Sequence, residues 1–244
     1  MEMKWIEKWL DLYPTDLLGR ASRNLRTLLS PPPVVYISRK GKISRFVQSL
    51  GEQSKVVDIG SGSARRAGKI VNLDIFRFPN VDVVFDGRHL PIRDASIDGI
   101  ISTAVLEHVE DSPQFVAEMF RVLKEGGKIL VTVPFIEGYH ESPSDFQRYT
   151  LNGLDVLFHR FIRIDSGVEC GPSSALAWIL RAWLASFGTT RRSHELLMLI
   201  GGWLVQPIKY ADIFLADRPF AHNIAAGLFF VGEKPSTIEA GFRG

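Results

Sequence analysis

The chain has one cysteine, Cys170, among its 244 residues. A single thiol can form neither an internal disulfide framework nor a multi-cysteine metal site, and this fits a reducing cytoplasm. Long apolar runs are also lacking. The longest, residues 196–208, contains Gln206 and Pro207 and is shorter than the roughly 20 apolar residues that span a bilayer. Lys4, Glu7 and Lys8 interrupt the first apolar stretch, so we expect no secretory signal.

No charge of one sign dominates, because the formal net charge is only +2. The distribution is more informative, since residues 17–51 carry seven basic side chains and no acidic one: Arg20, Arg23, Arg26, Arg39, Lys40, Lys42 and Arg45. Such a stretch suits an anionic partner or a solvated face, and both interpretations stay open. The apolar fraction of 45% is that of an ordinary globular protein that can bury one large domain.

Short β-rich runs alternate with turns and helical patterns between residues 54 and 170. The predicted strands are 55–59, 70–74, 81–85, 99–103, 128–134 and 161–169, with a last strand at 227–232. Their continuous Val, Ile and Leu content indicates burial on both faces, as in a parallel α/β sheet. Ser112 is predicted to cap a helix with Pro113 at its first position, and residues 125–127 are predicted to end it.

The first motif that carries chemistry is a glycine turn after a buried strand, with Asp58, Gly60, Ser61 and Gly62. Missing side chains let the backbone approach a nucleotide-like ligand, and the following N–H groups can face an anionic group. The third glycine of the dinucleotide fingerprint is absent, because Ala64 stands there. The alternative is a tight strand-to-helix turn without a ligand.

Two further acidic residues follow the next two strands. Asp74 can accept hydrogen bonds from both hydroxyls of a ribose, and it comes only 16 residues after Asp58, which predicts a shortened crossover. Asp86, followed by Gly87, can accept a hydrogen bond from an exocyclic adenine amine. An Asx turn is the alternative for Asp86.

The order of these elements, followed by Leu-Glu-His-Val at 106–109 and Arg-Val-Leu-Lys-Glu-Gly-Gly at 121–127, resembles the class I methyltransferases. The resemblance covers residues 54–170 and is greatest to the subgroup that includes the quinone C-methyltransferases. It implies an α/β, Rossmann-like, seven-stranded and mostly parallel sheet with flanking helices and shortened early crossovers. It also implies N-terminal helices and a helical insertion before the last strand.

The resemblance further implies that S-adenosylmethionine is the cofactor. Gly60 and Gly62 would then pack on its methionine part, and Asp58 would organise the turn near its amino group. Asp74 would bind the ribose, and Thr103 with Ala104 would lie under the methionyl end. Asp86 and Gly87 would lie at the adenine. The implied organisation is a helical segment at 1–50, a methyltransferase domain at 51–235 with a helical cap at 173–217, and a tail at 236–244.

A second group of candidates follows the fifth strand, where five ionisable residues lie within ten positions: His140, Glu141, Asp145, Arg148 and Tyr149. The stretch is similar to a loop over the active site in small methyltransferases of surface-polysaccharide biosynthesis. Alternatively its charges satisfy one another, Asp145 with Arg148, while Thr150 caps the next helix. For a hydroxyl acceptor, His140 is the predicted base and His108 its rival. Acids and histidines show no metal-ligand spacing, so no metal is expected.

All five tryptophans lie outside the predicted catalytic core: Trp5, Trp9, Trp178, Trp183 and Trp203. Tryptophan-bearing helices beside basic residues suit a membrane surface, and a helical cap or a homodimer interface are the alternatives. We therefore expect a cytoplasmic protein, peripheral at the inner face of the membrane if the first interpretation holds.

The expected reaction is methyl transfer, at oxygen, to a small-molecule, glycan or lipid-linked acceptor. A nicotinamide-dependent oxidoreductase is disfavoured by the missing third glycine. A non-catalytic protein that binds the cofactor is the remaining alternative. No nucleic-acid partner is expected, because no recognisable nucleic-acid module is present.

Overall fold

The computed structural model describes residues 32–34, 39–63, 69–140 and 143–236. One seven-stranded sheet forms the centre, in the order β3-β2-β1-β4-β5-β7-β6. The strands are β1 (Val56–Ile59), β2 (Ile70–Asp74), β3 (Val83–Val84), β4 (Ile97–Thr103), β5 (Leu123–Pro134), β6 (Ile162–Cys170) and β7 (Gly227–Glu233). Strands β1 to β5 pair in parallel, and β7 runs antiparallel between β5 and β6.

The helices are α1 (Arg39–Leu50), α2 (Ser112–Val122), α3 (Leu151–Leu157), α4 (Pro172–Ala185), α5 (Arg191–Leu204), α6 (Gln206–Lys209) and α7 (Asp212–Leu215). Two short 3-10 segments are Leu106–His108 and Ala221–Ile224. The predicted fold class is therefore confirmed, including the helical insertion before the last strand and the absence of a helix across residues 75–82, which connect β2 to β3.

The sheet is buried on both faces. Ile43 and Phe46 of α1 pack on one face, against residues such as Ile101 of β4. Phe115 and Met119 of α2 belong to a larger cluster that covers the other face. Because side chains alternate along a strand, neighbouring residues of β4 enter different clusters. This double burial explains why the strands are continuously apolar.

Two details around α2 correct the sequence prediction. The N-cap is Asp111, whose side chain accepts the Gln114 N–H at 3.0 Å, and Ser112 is the first helical residue. The Ser112 hydroxyl donates instead to the Val109 carbonyl at 3.2 Å. The helix also ends at Val122 rather than at residues 125–127, because β5 begins at Leu123. The Gly126 N–H pairs there with the Lys234 carbonyl at 2.9 Å.

Several predictions lie outside the described residues. These are the helical character of residues 1–31, with Trp5, Trp9, Arg20, Arg23 and Arg26, and the shortened first crossover at 64–68. Glu141 is also outside them. Within the helical segment predicted at residues 1–50, the structure describes one helix, α1.

The helical insertion is attached at the carboxyl edge of the sheet, where β5 and β6 end. Buried Asp212 accepts the Ser173 and Ser174 N–H groups at 2.7 and 2.8 Å, so it caps the first turn of α4. Trp178 of α4 belongs to a small cluster with Cys170 at the end of β6. Among the residues described, none of the helices has the length and hydropathy needed to cross a membrane.

Candidate active site

A cleft of about 1240 Å³ opens at the carboxyl ends of β1, β2 and β4. We call it the glycine cleft, and its lining includes Gly60, Gly62, Asp74, Asp86, Ala104 and His108. In a parallel α/β sheet this is the edge at which loops from successive strands converge on a ligand. The sheet therefore brings residues from three separate motifs to one cavity.

The glycine turn after β1 has a backbone that other residues adopt only with strain. Gly60 has a φ of +70° and Gly62 a φ of +59°. A Cβ atom at Gly60 would collide with the Val105 side chain, whereas one at Gly62 would meet no protein atom within 4 Å. The first glycine thus permits close packing of the turn, and the second leaves its space to the cleft. The Gly60 and Ser61 N–H groups donate to the Leu73 carbonyl at 2.8 and 3.1 Å, which fixes the turn against β2.

Asp74 joins this turn to the end of β2. One carboxylate oxygen accepts the Gly62 N–H at 2.8 Å and the other accepts the Phe76 N–H at 2.9 Å. Each oxygen keeps acceptor capacity for a ligand hydroxyl. Burial raises the pKa of Asp74, and backbone hydrogen bonds from Phe76, Gly62 and Ile75 oppose that shift. The arrangement is a fixed carboxylate at the wall of the cleft.

Asp86 closes a turn at the far side of the same cleft. It accepts the Arg88 and His89 N–H groups, both at 2.8 Å, and these bonds hold the pKa of its carboxyl at about 2. This is the Asx-type turn considered from the sequence, and the residue also lines the cleft, so the two interpretations coexist. Gly87 follows with a φ of +78°, and its added Cβ would lie 3.1 Å from Ile75.

Ala104, after β4, has a φ of +55°, which is uncommon for a residue with a side chain. Such a conformation costs on the order of 1–3 kcal/mol and is held here because the Ala104 N–H donates to the Thr132 carbonyl at 2.9 Å. Ala104 lines the cleft. Thr103 at the end of β4, Asp58 within β1 and Ser61 in the glycine turn are buried and are absent from the cleft lining.

A second polar group lies where the glycine cleft meets the segment after β5. We call Glu107, His108, His140, Asp145 and Arg148 the histidine edge. Asp145 and Arg148 form a two-pronged ion pair, with one N–O distance of 2.7 Å, and the Asp145 side chain is only 1% exposed. The Arg148 hydrogen bonds hold the pKa of Asp145 at about 2. Asp145 also accepts the His140 backbone N–H at 2.8 Å.

These contacts show that Asp145 and Arg148 pair with each other, as the alternative interpretation of the sequence proposed, although Nε of Arg148 is buried without a hydrogen-bond partner. Neither residue lines the glycine cleft, and the same is true of Tyr149, which packs against the core. Burial raises the pKa of the Tyr149 hydroxyl. Thr150 caps α3 by accepting the Gly153 N–H at 3.0 Å, so that prediction is confirmed. The ion pair therefore positions the segment that carries His140.

Glu107 is the member of the edge that sequence reasoning did not single out. It is fully buried, and neither carboxylate oxygen has a hydrogen-bond partner in another residue. Burial raises the pKa of this carboxyl to about 8. One of its oxygens lies 3.8 Å from Nε2 of His108 and 3.9 Å from Nε2 of His140. The only sequence signal was its place beside His108 in the Leu-Glu-His-Val motif.

The two candidate histidines are brought together, with ring centroids 5.2 Å apart in an edge-to-face arrangement. His108 lines the glycine cleft, whereas His140 lies behind it and faces Trp178 of α4 at 6.2 Å. Aromatic residues after β2 and β3, Phe76, Phe78 and Phe85, also line the cleft and were not anticipated. Flat apolar walls beside Asp74 and Asp86 suit a purine ring.

Comparison with known proteins identifies the domain. The family model described as a methyltransferase domain matches residues 38–131. A protein of Mycolicibacterium smegmatis, named a probable S-adenosylmethionine-dependent methyltransferase, is 46% identical over 89 residues, which are 33% of this chain and 33% of that protein. A Mycobacterium tuberculosis protein of the same description is 39% identical over 160 residues, 62% of this chain and 57% of the relative. The matches thus span between a third and just over half the length of these curated relatives.

Among solved structures, the 1,6-didemethyltoxoflavin-N1-methyltransferase of Burkholderia thailandensis superposes with a TM-score of 0.55 over 95% of this chain and 87% of that one. The sequence identity is 14%, so this likeness concerns the fold alone. Family model, curated relatives and fold agree with the resemblance drawn from the motifs. Residues 38–131 therefore match a methyltransferase domain, and the curated relatives described above are named probable S-adenosylmethionine-dependent methyltransferases.

Proposed function

We propose that this protein transfers the methyl group of S-adenosylmethionine, bound in the glycine cleft, to an oxygen atom of an acceptor at the histidine edge. The acceptor is a small molecule, a glycan or a lipid-linked glycan. The observation that carries the proposal is the position of His108, which lines the glycine cleft and also packs against His140. The proposed cofactor site and the two candidate bases therefore adjoin each other.

The residues of the cleft suit the cofactor. Gly62 leaves room that a Cβ would occupy, and this space lies beside the fixed carboxylate of Asp74. We place the ribose hydroxyls on Asp74 and the adenine between Asp86, Gly87 and the aromatic wall. The methionine part then extends along Gly60 and Ser61 toward Ala104. Asp58 and Thr103, which are buried outside the cleft, would support the backbone of these two turns.

The cofactor, when bound, supplies a methyl group already activated by its sulfonium sulfur. The chain has to align the acceptor, exclude water and remove a proton. Alignment can contribute on the order of 7–11 kcal/mol to lowering the barrier. A base adds roughly 10²–10⁴-fold for a hydroxyl acceptor. His140 is our first candidate for this base, and His108 is the alternative that lies nearer to the cleft.

A lipid-linked acceptor is favoured by the surface of the helical insertion. Large apolar side chains are exposed on successive helices, among them Trp183, Trp203 and Phe214, which are 56%, 56% and 72% exposed. Arg191 and Arg192 begin α5 and are also exposed. Aromatic and basic side chains together are typical of helices that lie in a membrane interface. We propose that this surface rests on anionic lipid and presents the histidine edge, which Trp178 contacts, to a lipid-linked acceptor.

Vesicle sedimentation tests the lipid part. We expect binding to vesicles that contain phosphatidylglycerol at low salt, weaker binding to neutral vesicles, and loss of binding in Trp183→Glu/Phe214→Glu. Leu196→Glu alone is a milder variant on the same surface and is expected to weaken binding less. A wild-type protein that stays in solution with anionic vesicles would overturn this assignment and favour a dimer, which the same sample would reveal by light scattering.

A transfer assay tests the reaction. Methyl-labelled S-adenosylmethionine is supplied with lipid-linked and free sugars, and label in the acceptor is measured for wild type, His140→Ala and His108→Ala. We expect label in an acceptor hydroxyl and a loss of roughly 10²-fold or more in the variant that lacks the base. Cofactor binding without transfer to any acceptor would instead support the non-catalytic alternative.

A further inference from the structure

The histidine edge has the composition of a metal site. Two imidazole nitrogens and a carboxylate oxygen, from His108, His140 and Glu107, all lie within 4.8 Å of one another. No other such group of three is found among the described residues. From these positions we infer that the protein binds a divalent transition-metal ion, with Zn²⁺ as the reference case, between Glu107, His108 and His140.

The distances leave room for an ion rather than for direct hydrogen bonds. The Glu107 oxygen lies 3.8 and 3.9 Å from the two Nε2 atoms, too far for hydrogen bonding. Two ligands of one Zn²⁺ ion, each about 2.0–2.2 Å from the metal, can be at most about 4.4 Å apart. The three atoms can therefore reach one ion with only small side-chain movements.

The remaining ring nitrogens orient the histidines for this role. Nδ1 of His108 is hydrogen-bonded to the Ser144 carbonyl, and Nδ1 of His140 lies 3.2 Å from the Gly138 carbonyl. Because a carbonyl oxygen only accepts, each Nδ1 carries the proton and each Nε2 presents its lone pair toward Glu107. Backbone carbonyls that fix histidine ligands in this way are common around bound metals.

Burial of Glu107 is the second, independent observation. The side chain is fully buried, and both oxygens lack a hydrogen-bond partner in another residue. A buried, unpartnered carboxyl is costly unless something pairs with it. Arg148 lies near Glu107, but both of its terminal nitrogens bond Asp145, and its buried Nε makes no hydrogen bond to Glu107 or to another residue. A cation between the three side chains would supply the missing partner.

The donor set selects the class of ion. Imidazole suits Zn²⁺, Co²⁺, Ni²⁺ and Fe²⁺, whereas Mg²⁺ and Ca²⁺ prefer a full set of oxygen ligands. Three protein ligands leave an open position for water or for an oxygen of the acceptor. The ion would bind the Nε2 lone pairs of His108 and His140, which are also the lone pairs that a histidine base would use. Within the proposed function, the histidine edge would therefore either bind the ion or supply the base. Binding itself does not depend on that function.

The test is calorimetric titration of the metal-stripped, tag-free protein with Zn²⁺, without any methyl donor. We expect one ion per chain, and affinity reduced by about 100-fold or more in Glu107→Gln and in His140→Ala. His159→Ala is the matched control, since His159 is an exposed histidine bonded to the Val156 carbonyl, and it should bind as wild type does. Visible absorption of the Co²⁺ form should report nitrogen and oxygen ligands and disappear in Glu107→Gln.

No stoichiometric binding by folded wild type, or equal binding by Glu107→Gln, would overturn the inference. His140→Ala guards against loss of the fold in the Glu107 variant, because the His140 side chain is 31% exposed and its removal leaves no buried cavity. S-adenosylhomocysteine binding is measured on the same samples. Binding of S-adenosylhomocysteine without binding of Zn²⁺ would contradict the metal site but not the proposed function. Binding of Zn²⁺ without binding of S-adenosylhomocysteine would contradict the proposed function but not the metal site.

Discussion

The glycine cleft and the histidine edge adjoin each other and are built in different ways. The glycine cleft is made from residues that end strands or directly follow them, such as Asp74 at the end of β2 and Gly60 after β1. The histidine edge joins Glu107 to His140, from two segments 33 residues apart, through side-chain contacts around the buried Glu107. The first, in which we propose that the cofactor binds, is formed by local turns, and the second depends on tertiary packing.

Breaking the glycine turn should have the largest effect. Gly60→Ala combines a left-handed backbone with a collision against Val105, so we expect cofactor affinity to fall by more than about 100-fold and stability to fall as well. Gly126→Ala is the matched control, because Gly126 has a similar φ of +72° but open space around it. It should lose about 1 kcal/mol of unfolding free energy and no affinity, as measured by denaturation and calorimetry. Equal affinities in the two variants would contradict the role of the turn.

Breaking the ion pair of the histidine edge should cost stability rather than cofactor binding. Asp145→Asn leaves Arg148 short of its partner in a site where the aspartate is 1% exposed, so we expect a loss of about 2–3 kcal/mol. Asp155→Asn removes the exposed Arg163 pair and should cost less than about 1 kcal/mol. Urea denaturation gives both values. A loss in Asp145→Asn no greater than in the control would mean that the pair does not hold the edge.

A third variant tests whether Arg121 contributes to the stability of the fold or to cofactor binding. Arg121, within the Arg-Val-Leu-Lys motif, does not line the cleft but bonds Glu118 at 2.7 Å, Asp94 at 2.6 Å and the carbonyls of Leu90 and Ile92. Arg121→Met should lower the unfolding free energy by about 2 kcal/mol, discounted because the side chain is 32% exposed. Arg93→Met, on an exposed neighbour, should be near neutral. A large change in cofactor affinity without loss of stability would contradict this structural role.

The smallest effect concerns charge within the cleft. Asp74→Asn should weaken cofactor binding by about tenfold, since hydrogen bonds to a charged group contribute about 1.5–3 kcal/mol and the amide retains part of them. Asp74 has a raised pKa, so its proton returns at a higher pH than for an ordinary aspartate. Affinity should therefore decline on acidification in wild type, beginning above the usual aspartate range, and the decline should be absent in Asp74→Asn. Asp86, with a pKa of about 2, should contribute no such decline.

The same contrast explains what the sequence could predict. The positions of Asp74 at the end of β2 and Asp86 after β3 follow from apolar runs and turns that are local in the chain, so the fold and the arrival of these two residues at one cleft were predictable. Glu107 was not, because its isolation arises only when His140 and the Asp145–Arg148 pair pack around it. The N-cap at Asp111 was also missed, since two adjacent residues, Asp111 and Ser112, are both good caps and tertiary contacts with Val109 engage the serine.

The most direct test of the account is calorimetric titration with S-adenosylhomocysteine of three proteins side by side: wild type, Gly60→Ala and Asp145→Asn. We expect micromolar binding by wild type, none by Gly60→Ala, and near wild-type affinity in Asp145→Asn at a temperature where it is folded. Absence of binding by folded wild type would contradict the assignment of the glycine cleft as the cofactor site. Equal loss in both variants would contradict its independence from the histidine edge.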